Sequence, residues 1–217
     1  MKKQFLILIT VLLFQITYGQ DSSDKFELGS TLVTVNSFDD QHFYYRDRPS
    51  VEYLNGLFLR YTHKRIAIRA QISYSENYQS YSSPPGTRDG GGGDAFNKDV
   101  RLGLGGQFSV FKNNTLLYPF VDASYRNIFS VGHYYGGFGG ANDALTSTTE
   151  GLLLNIGLGS KIKIYKSIYL SPEFGFSYFN GLKKETSTYV PNGSSIKYSS
   201  PTVYWSPSIK LHLTVNF

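Results

Sequence analysis

Apolar and polar side chains alternate along most of the chain, most cleanly at its end. Val203, Trp205, Pro207, Ile209, Leu211, Leu213, Val215 and Phe217 share one parity. Tyr204, Ser206, Ser208, Lys210, His212, Thr214 and Asn216 share the other. Successive side chains of a strand point to opposite faces, so a period of two predicts strands with one greasy and one polar face. The same pattern sets Ile66, Ile68, Ala70, Ile72 and Tyr74 against Ala67, Arg69, Gln71 and Ser73. It sets Val100, Leu102, Leu104, Phe108 and Val110 against Arg101, Gly103, Gly105, Gln107 and Ser109, and Leu152, Leu154, Ile156, Leu158 and Ile162 against Asn155, Gly157, Gly159 and Lys161. Eight strands are predicted, over 25–37, 52–63, 65–76, 98–111, 116–128, 149–164, 167–180 and 201–217. Tight turns near Lys64, Asn113–Asn114 and Lys166 alternate with long connections at 38–51, 77–97, 129–148 and 181–200. Short joins at one end and long ones at the other predict an up-and-down antiparallel meander.

A soluble secreted barrel or sandwich would alternate in the same way, so the chemistry of the two faces must separate the possibilities. The apolar face is expected to carry no Asp, Glu, Lys or Arg along the eight stretches. The opposite face is mostly Gly, Ser, Thr, Asn and Gln, with sparse charges of both signs: Glu27, Arg60, Arg69, Arg101, Asp122, Arg126, Lys161, Glu173 and Lys210. Small residues with a few opposed charges suit the interior of a narrow barrel, which has room only for side chains that satisfy one another. A cation facing lipid would cost about 2–4 kcal/mol at mid-membrane. The fold class read from this is all-β, an eight-stranded antiparallel up-and-down transmembrane β-barrel, with those nine residues as a lumen charge network. Strands 1, 2 and 5 stay ambiguous in register, because Val33, Val35, Leu54, Phe58 and Phe120 fall on the nominally inner face. Two interfacial aromatic rings are predicted, with Tyr61, Tyr118 and Tyr165 near the turns and Tyr53, Tyr74, Tyr125, Phe129, Tyr178 and Trp205 near the long connections. Pro119, Pro172 and Pro207 lie within strand windows and are expected at strand ends or bulges, since proline cannot donate to a ladder.

The start of the chain reads differently. Lys2 and Lys3 precede an apolar run from Phe5 to Phe14, followed by Thr17, Tyr18 and Gly19. That is a signal-peptide pattern, too short to span a membrane, with cleavage expected after Gly19. The organisation is therefore a signal peptide at 1–19 and one barrel domain at 20–217. Removing Lys2 and Lys3 lowers the net charge from +5 to +3, too little to suggest nucleic acid as a partner. The chain has no cysteine, which excludes a disulfide scaffold, thiolate metal sites, a cysteine nucleophile and an acylated lipoprotein terminus.

Catalytic signals are sparse. Gly90-Gly91-Gly92-Gly93-Asp94 is not followed by Gly-Lys-Ser/Thr and reads as a flexible exposed loop. The four histidines, His42, His63, His133 and His212, show no metal-ligand spacing, so no metal and no cofactor is expected. His42 with Asp39 or Asp40, and His133, are the only candidates for a lipid-modifying site, and solvated loop residues are the simpler reading. His133 through Gly140 forms a Tyr/Gly-rich connection, of the composition found in adaptable recognition surfaces. Tyr134, Tyr135 and Phe138 are its surface-binding candidates. Lys64, Arg65, Lys112, Lys163 and Lys166 are read as solvated turn residues.

Taken with the signal segment and the eight alternating stretches, the final run Ile209-Lys210-Leu211-His212-Leu213-Thr214-Val215-Asn216-Phe217 resembles that of small outer-membrane β-barrels of the OmpA/OmpX-like superfamily. The likeness is nearest to the compact Bacteroidota type, the PorT-like group included. The resemblance implies the outer membrane of a Gram-negative bacterium, a monomer in contact with outer-membrane lipid, and an assembly signal at Phe217 read by the outer-membrane insertion machinery. It implies a structural or surface-interaction role. An accessory part in protein secretion, or a lipid-modifying enzyme, is the alternative. No periplasmic domain is expected beyond Phe217.

Overall fold

A computed structural model of the chain describes residues 24–36, 50–82, 91–110, 117–136, 141–189 and 193–217. The signal segment, the 37–49 connection with Asp39, Asp40 and His42, the Asn113–Asn114 turn and Phe138 lie outside the described residues. The elements are β1 (Asp24–Asn36), β2 (Ser50–His63), β3 (Ile66–Ser82), β4 (Gly91–Phe108), β5 (Leu117–Gly136), β6 (Ala141–Ser160), β7 (Ile162–Tyr165), β8 (Ile168–Tyr189) and β9 (Ser194–Asn216). All pairings are antiparallel and join one nine-stranded sheet in the order β6-β5-β4-β3-β2-β1-β9-β8-β7, with β6 also paired to β8. Phe217 extends the β1–β9 ladder by one bond, its N–H donating to Phe26 O at 2.9 Å.

Nine strands appear where eight were expected because the stretch 149–164 is interrupted at Lys161. Gly159 faces Glu173 before the break and Ile162 faces Leu170 after it, so register is kept across the gap. That register sets Ser160 opposite Pro172, which has no N–H to donate, and the hydrogen-bond ladder lapses there. The other two prolines follow the same logic. Pro119 lies one residue beyond the last β4–β5 pair, Gln107 with Phe120. Pro207 lies one residue beyond the last β1–β9 pair, Asn36 with Ser208. Each proline sits where a neighbouring strand has stopped asking for its hydrogen.

The ambiguous registers are resolved by a bulge. Thr31 pairs with Gly56 and Val33 with Tyr53, so Leu54 and Asn55 oppose Leu32 alone. Leu54 takes a left-handed conformation, φ 48°, the backbone that absorbs an extra residue in a ladder. Against β9, Thr31 pairs with His212 and Val33 with Leu211, so Leu32 is itself one residue more than β9 supplies. That extra residue moves the inward face of β1 from odd to even positions, so Thr34 turns inward while Val33 and Val35 keep to the apolar face. The further extra residue in β2 restores parity there, and Glu52 faces inward with Phe58 and Arg60 while Val51 and Tyr53 stay outward. Phe58 and Phe120 do point inward, and both are buried.

The strands reach well past the predicted windows. The segments read as long connections at 77–97, 129–148 and 181–200 are largely paired strand, including the Gly91–Asp94 run, which lies in β4 and not in a free loop. These extensions are built of Thr, Ser, Tyr and Gly, which hold a ladder without showing hydrophobic alternation. One further expectation fails at their base. Glu76, Lys98 and Glu150 share the outward face, yet all three fall inside the predicted windows. They are tolerated because each is neutralised: Lys98 pairs with Glu76 at 3.6 Å and Lys184 with Glu150 at 2.9 Å.

Candidate functional site

The sheet is inside out. Along β3, Ile66, Ile68 and Ile72 are exposed, Ile68 at 61%, while Arg69 between them is 1% exposed. Leu104, Ile156, Leu158, Phe174, Phe176 and Trp205 are exposed as well, and Glu27, Arg60, Asp122, Glu173, His212 and Thr214 are buried. Side chains of strands that are not neighbours meet across the enclosed face, and they meet in two groups.

The lower group lies toward the tight turns Lys64–Arg65 and Lys166–Ser167. Glu27 of β1 accepts from Lys161 Nζ at 2.6 Å and from Arg60 Nη1 of β2 at 3.2 Å. Arg60 Nη2 donates to the Tyr118 hydroxyl at 3.1 Å, and that hydroxyl donates to Glu173 Oε1 at 2.9 Å. Glu173 Oε2 also accepts from Arg69 Nη2 at 2.8 Å and faces His212 Nε2 at 3.2 Å, while Arg69 reaches Asp122 at 3.2 Å. His212 Nδ1 lies 3.1 Å from Thr31 Oγ1, and its ring stacks on Phe58 with centroids 4.4 Å apart. Arg60 and Arg69 both lie over the Phe58 ring, at 5.0 and 5.2 Å, and Arg69 lies 4.5 Å from the Phe120 centroid. The two inward phenylalanines thus serve as flat surfaces for desolvated guanidinium groups.

The upper group is centred on Asp99. Arg126 donates to it through Nη2 at 2.6 Å and Arg101 through Nε at 3.0 Å. Glu52, on the same face of β2 as Phe58 and Arg60, takes Arg101 Nη2 at 3.1 Å and is also bonded by Asn55. Arg126 bonds the Tyr204 hydroxyl, and the Tyr204 ring stacks on Phe179 at 5.0 Å. Between the groups, Lys210 Nζ donates to Gln71 Oε1 at 3.1 Å.

All nine charged residues singled out in the sequence face inward; eight of them enter the ion pairs of the two groups, and Lys210 bonds Gln71. Tyr118, Asp99 and Glu52 were missed. The sequence places Tyr118 in an outer aromatic ring, but even positions of β5 point inward and its side chain is fully buried. Asp99 shares parity with Arg101, and Glu52 with Arg60, so both are readable by parity. Tyr61, Tyr165, Tyr53, Tyr74, Tyr125, Phe129 and Trp205 are exposed, with Trp205 4.6 Å from the Tyr178 ring. Tyr134 and Tyr135 belong to the end of β5 and not to a loop, Tyr134 turned inward and Tyr135 outward over Gly92. His133 faces outward, 3.8 Å from Asp94. Among the described residues no group of three or more His, Cys, Asp or Glu side chains is placed to hold a metal ion.

No family model matches the chain, and no curated protein matches it. Among solved structures it is similar to a major outer membrane protein of Thermus thermophilus, with a TM-score of 0.53 at 11% identity over 90% of this chain and 100% of that one. The fold is one that an outer-membrane protein adopts. CarO of Acinetobacter baumannii gives a TM-score of 0.45 at 13% identity over 87% of this chain and 97% of that one. The outer membrane protein AlkL, solved in DMPC lipid bilayers, gives 0.45 at 12% identity over 92% of each chain.

Proposed function

We propose that the mature chain is an integral outer-membrane barrel, closed from eight strands with β6 and β7 counted as one. Its lumen is shut by two ionic layers, and its task is structural or one of surface contact rather than open diffusion. The observation that carries this reading is the inverted polarity: large aliphatic and aromatic side chains face out while arginines and carboxylates are enclosed. In water that arrangement would forfeit the hydrophobic driving force. In a bilayer it is what the solvent demands.

The outward face also has the right height. On β4 it is apolar from Phe108 up to Val100 and meets its first charge at Lys98. About ten residues at ~3.4 Å each, on strands tilted ~40°, span ~25 Å, the height of an outer-membrane apolar band. Tyr74, Tyr125, Tyr178 and Trp205 ring its upper margin, just beneath the Glu76–Lys98 and Glu150–Lys184 pairs. Above them the paired extensions rise into the exterior, with Tyr135 on the outer face near a tip. The signal peptide, the assembly role of Phe217 and the likeness to OmpA/OmpX-type barrels belong to this same reading.

Planar-bilayer recording tests the closed lumen. The purified protein should show no large, stable conductance, and an Arg126→Ala/Asp99→Ala double variant should conduct more than the parent. A large steady conductance from the unaltered protein would refute the plug. Folding into lipid vesicles but not into detergent-free buffer tests the membrane assignment separately.

A further inference from the structure

Among the described residues, every arginine and lysine of the two ionic layers touches a carboxylate, and Lys210, which lies between the layers, touches none. Arg60 has Glu27, Arg69 has Asp122 and Glu173, Arg101 has Glu52 and Asp99, Arg126 has Asp99, and Lys161 has Glu27. Lys210 donates only to the neutral Gln71 amide oxygen. It lines a cavity of about 20 Å³ between the layers, with Thr31, Thr34, Gln71, Ser124, Asn155 and Ser177 among the other lining residues. A void of that size holds one water or one ion of similar radius. Asn155 is 2% exposed, its Oδ1 accepts from Ser177, and its Nδ2 is buried without a hydrogen-bond partner. An orphaned amide donor and an ammonium with no carboxylate in contact thus line one small cavity rich in hydroxyls. The buried amide donor calls for an acceptor, and the half-buried ammonium beside the same cavity favours a negative one.

We propose that this cavity binds a single small monovalent anion of halide size, held by Lys210 Nζ and Asn155 Nδ2 with hydroxyl donors around it. The anion places a negative charge directly against the Lys210 ammonium, which touches no carboxylate. A carboxylate-bearing metabolite or a phosphate would not fit the volume. The site depends on the cavity alone, so its test is independent of whether the lumen conducts.

Crystals of the detergent-solubilised protein soaked in bromide should show an anomalous peak in the cavity, within hydrogen-bond reach of both nitrogens. In solution, chloride should broaden its own NMR resonance saturably when the wild-type protein is present. The broadening should fall at least tenfold in Lys210→Gln and in Asn155→Asp, which keeps the side-chain volume but places a negative oxygen in the site. Heat-modifiable gel migration identifies which variants have folded, and one folded variant suffices for the comparison. Density without anomalous signal identifies a water and overturns the proposal. Broadening that a folded variant leaves unchanged, or a peak on the outer surface only, overturns it as well.

Discussion

Lys161 Nζ lies 2.6 Å from Glu27 Oε1, joining the first strand to the one point at which the β6–β7 line is interrupted. Both side chains are almost fully enclosed. Removing one partner of such a pair leaves a stranded charge and costs about 3–5 kcal/mol, whereas replacing both by apolar residues is far less damaging. Glu27→Gln strands both Lys161 and Arg60, whereas Lys161→Met leaves Glu27 held by Arg60 at 3.2 Å. Glu27→Gln should therefore lower the urea midpoint of the lipid-inserted protein by more than Lys161→Met does. The opposite order would mean that Arg60 does not depend on Glu27.

Leu104 sits in the middle of the outward band and is 67% exposed. In a bilayer, Leu104→Arg should cost about 2–4 kcal/mol, read as reduced folding yield into vesicles. The same exchange in a water-soluble barrel would fall within ~0.5 kcal/mol, as exposed substitutions usually do. Unchanged folding would remove the membrane reading.

Tyr118 is the hinge pin of the lower layer, donating to Glu173 and accepting from Arg60. Tyr118→Phe should destabilise by about 1–3 kcal/mol, because both former partners stay buried with one bond fewer. Gly159 supports the same ring from β6. A Cβ there would come within 2.5 Å of Tyr118 Cζ, so Gly159→Ala should show a loss of similar size by displacing the hydroxyl. Equal stability of wild type and both variants, measured by denaturant titration in vesicles, would show that the layer has slack.

Above the apolar band, Lys184 and the Tyr125 hydroxyl hold the Glu150 carboxyl below its ordinary range, and Glu150 in turn raises Lys184. A depressed carboxyl contributes stability above its unfolded pKa and loses it as pH falls through the lowered folded value. A raised ammonium contributes below its unfolded pKa and loses it as pH rises through the folded value. The contribution of the pair is thus greatest at intermediate pH, and it is small because both groups are solvated and screened. A Glu150→Gln variant should differ from wild type near neutrality and converge with it in acid and in high salt, followed by denaturant midpoints against pH.

How far the structure could be read from the sequence depended on the kind of residue doing the signalling. Where Ile, Leu and Val alternate with small polar residues, as in β3, β4, β6 and β9, strand identity and facing were both legible. The upper strands were not, because a ladder of Thr146, Ser147, Thr148 and Thr149 against Lys183, Lys184, Glu185 and Thr186 carries no hydrophobic period. Single charges on an otherwise small-residue face marked most of the enclosed network. Tyr118, Asp99 and Glu52 each follow the parity of an enclosed neighbour, Asp122, Arg101 and Arg60 respectively, but their strand-end positions disguise them as aromatic-ring or surface residues. Which basic group meets which carboxylate is set by contacts across the enclosed space, such as Arg69 with Glu173, and no local pattern encodes those.

The bulge at Leu54 gives the wall something like a reading frame. Because one residue more in a regular ladder shifts the phase of everything beyond it, a single residue inserted between Glu52 and Tyr53 would leave the composition of β2 almost intact while translating Val51 into the charged interior and Glu52 into lipid. Length, more than residue type, is then what the β1–β2 hairpin can least afford to vary.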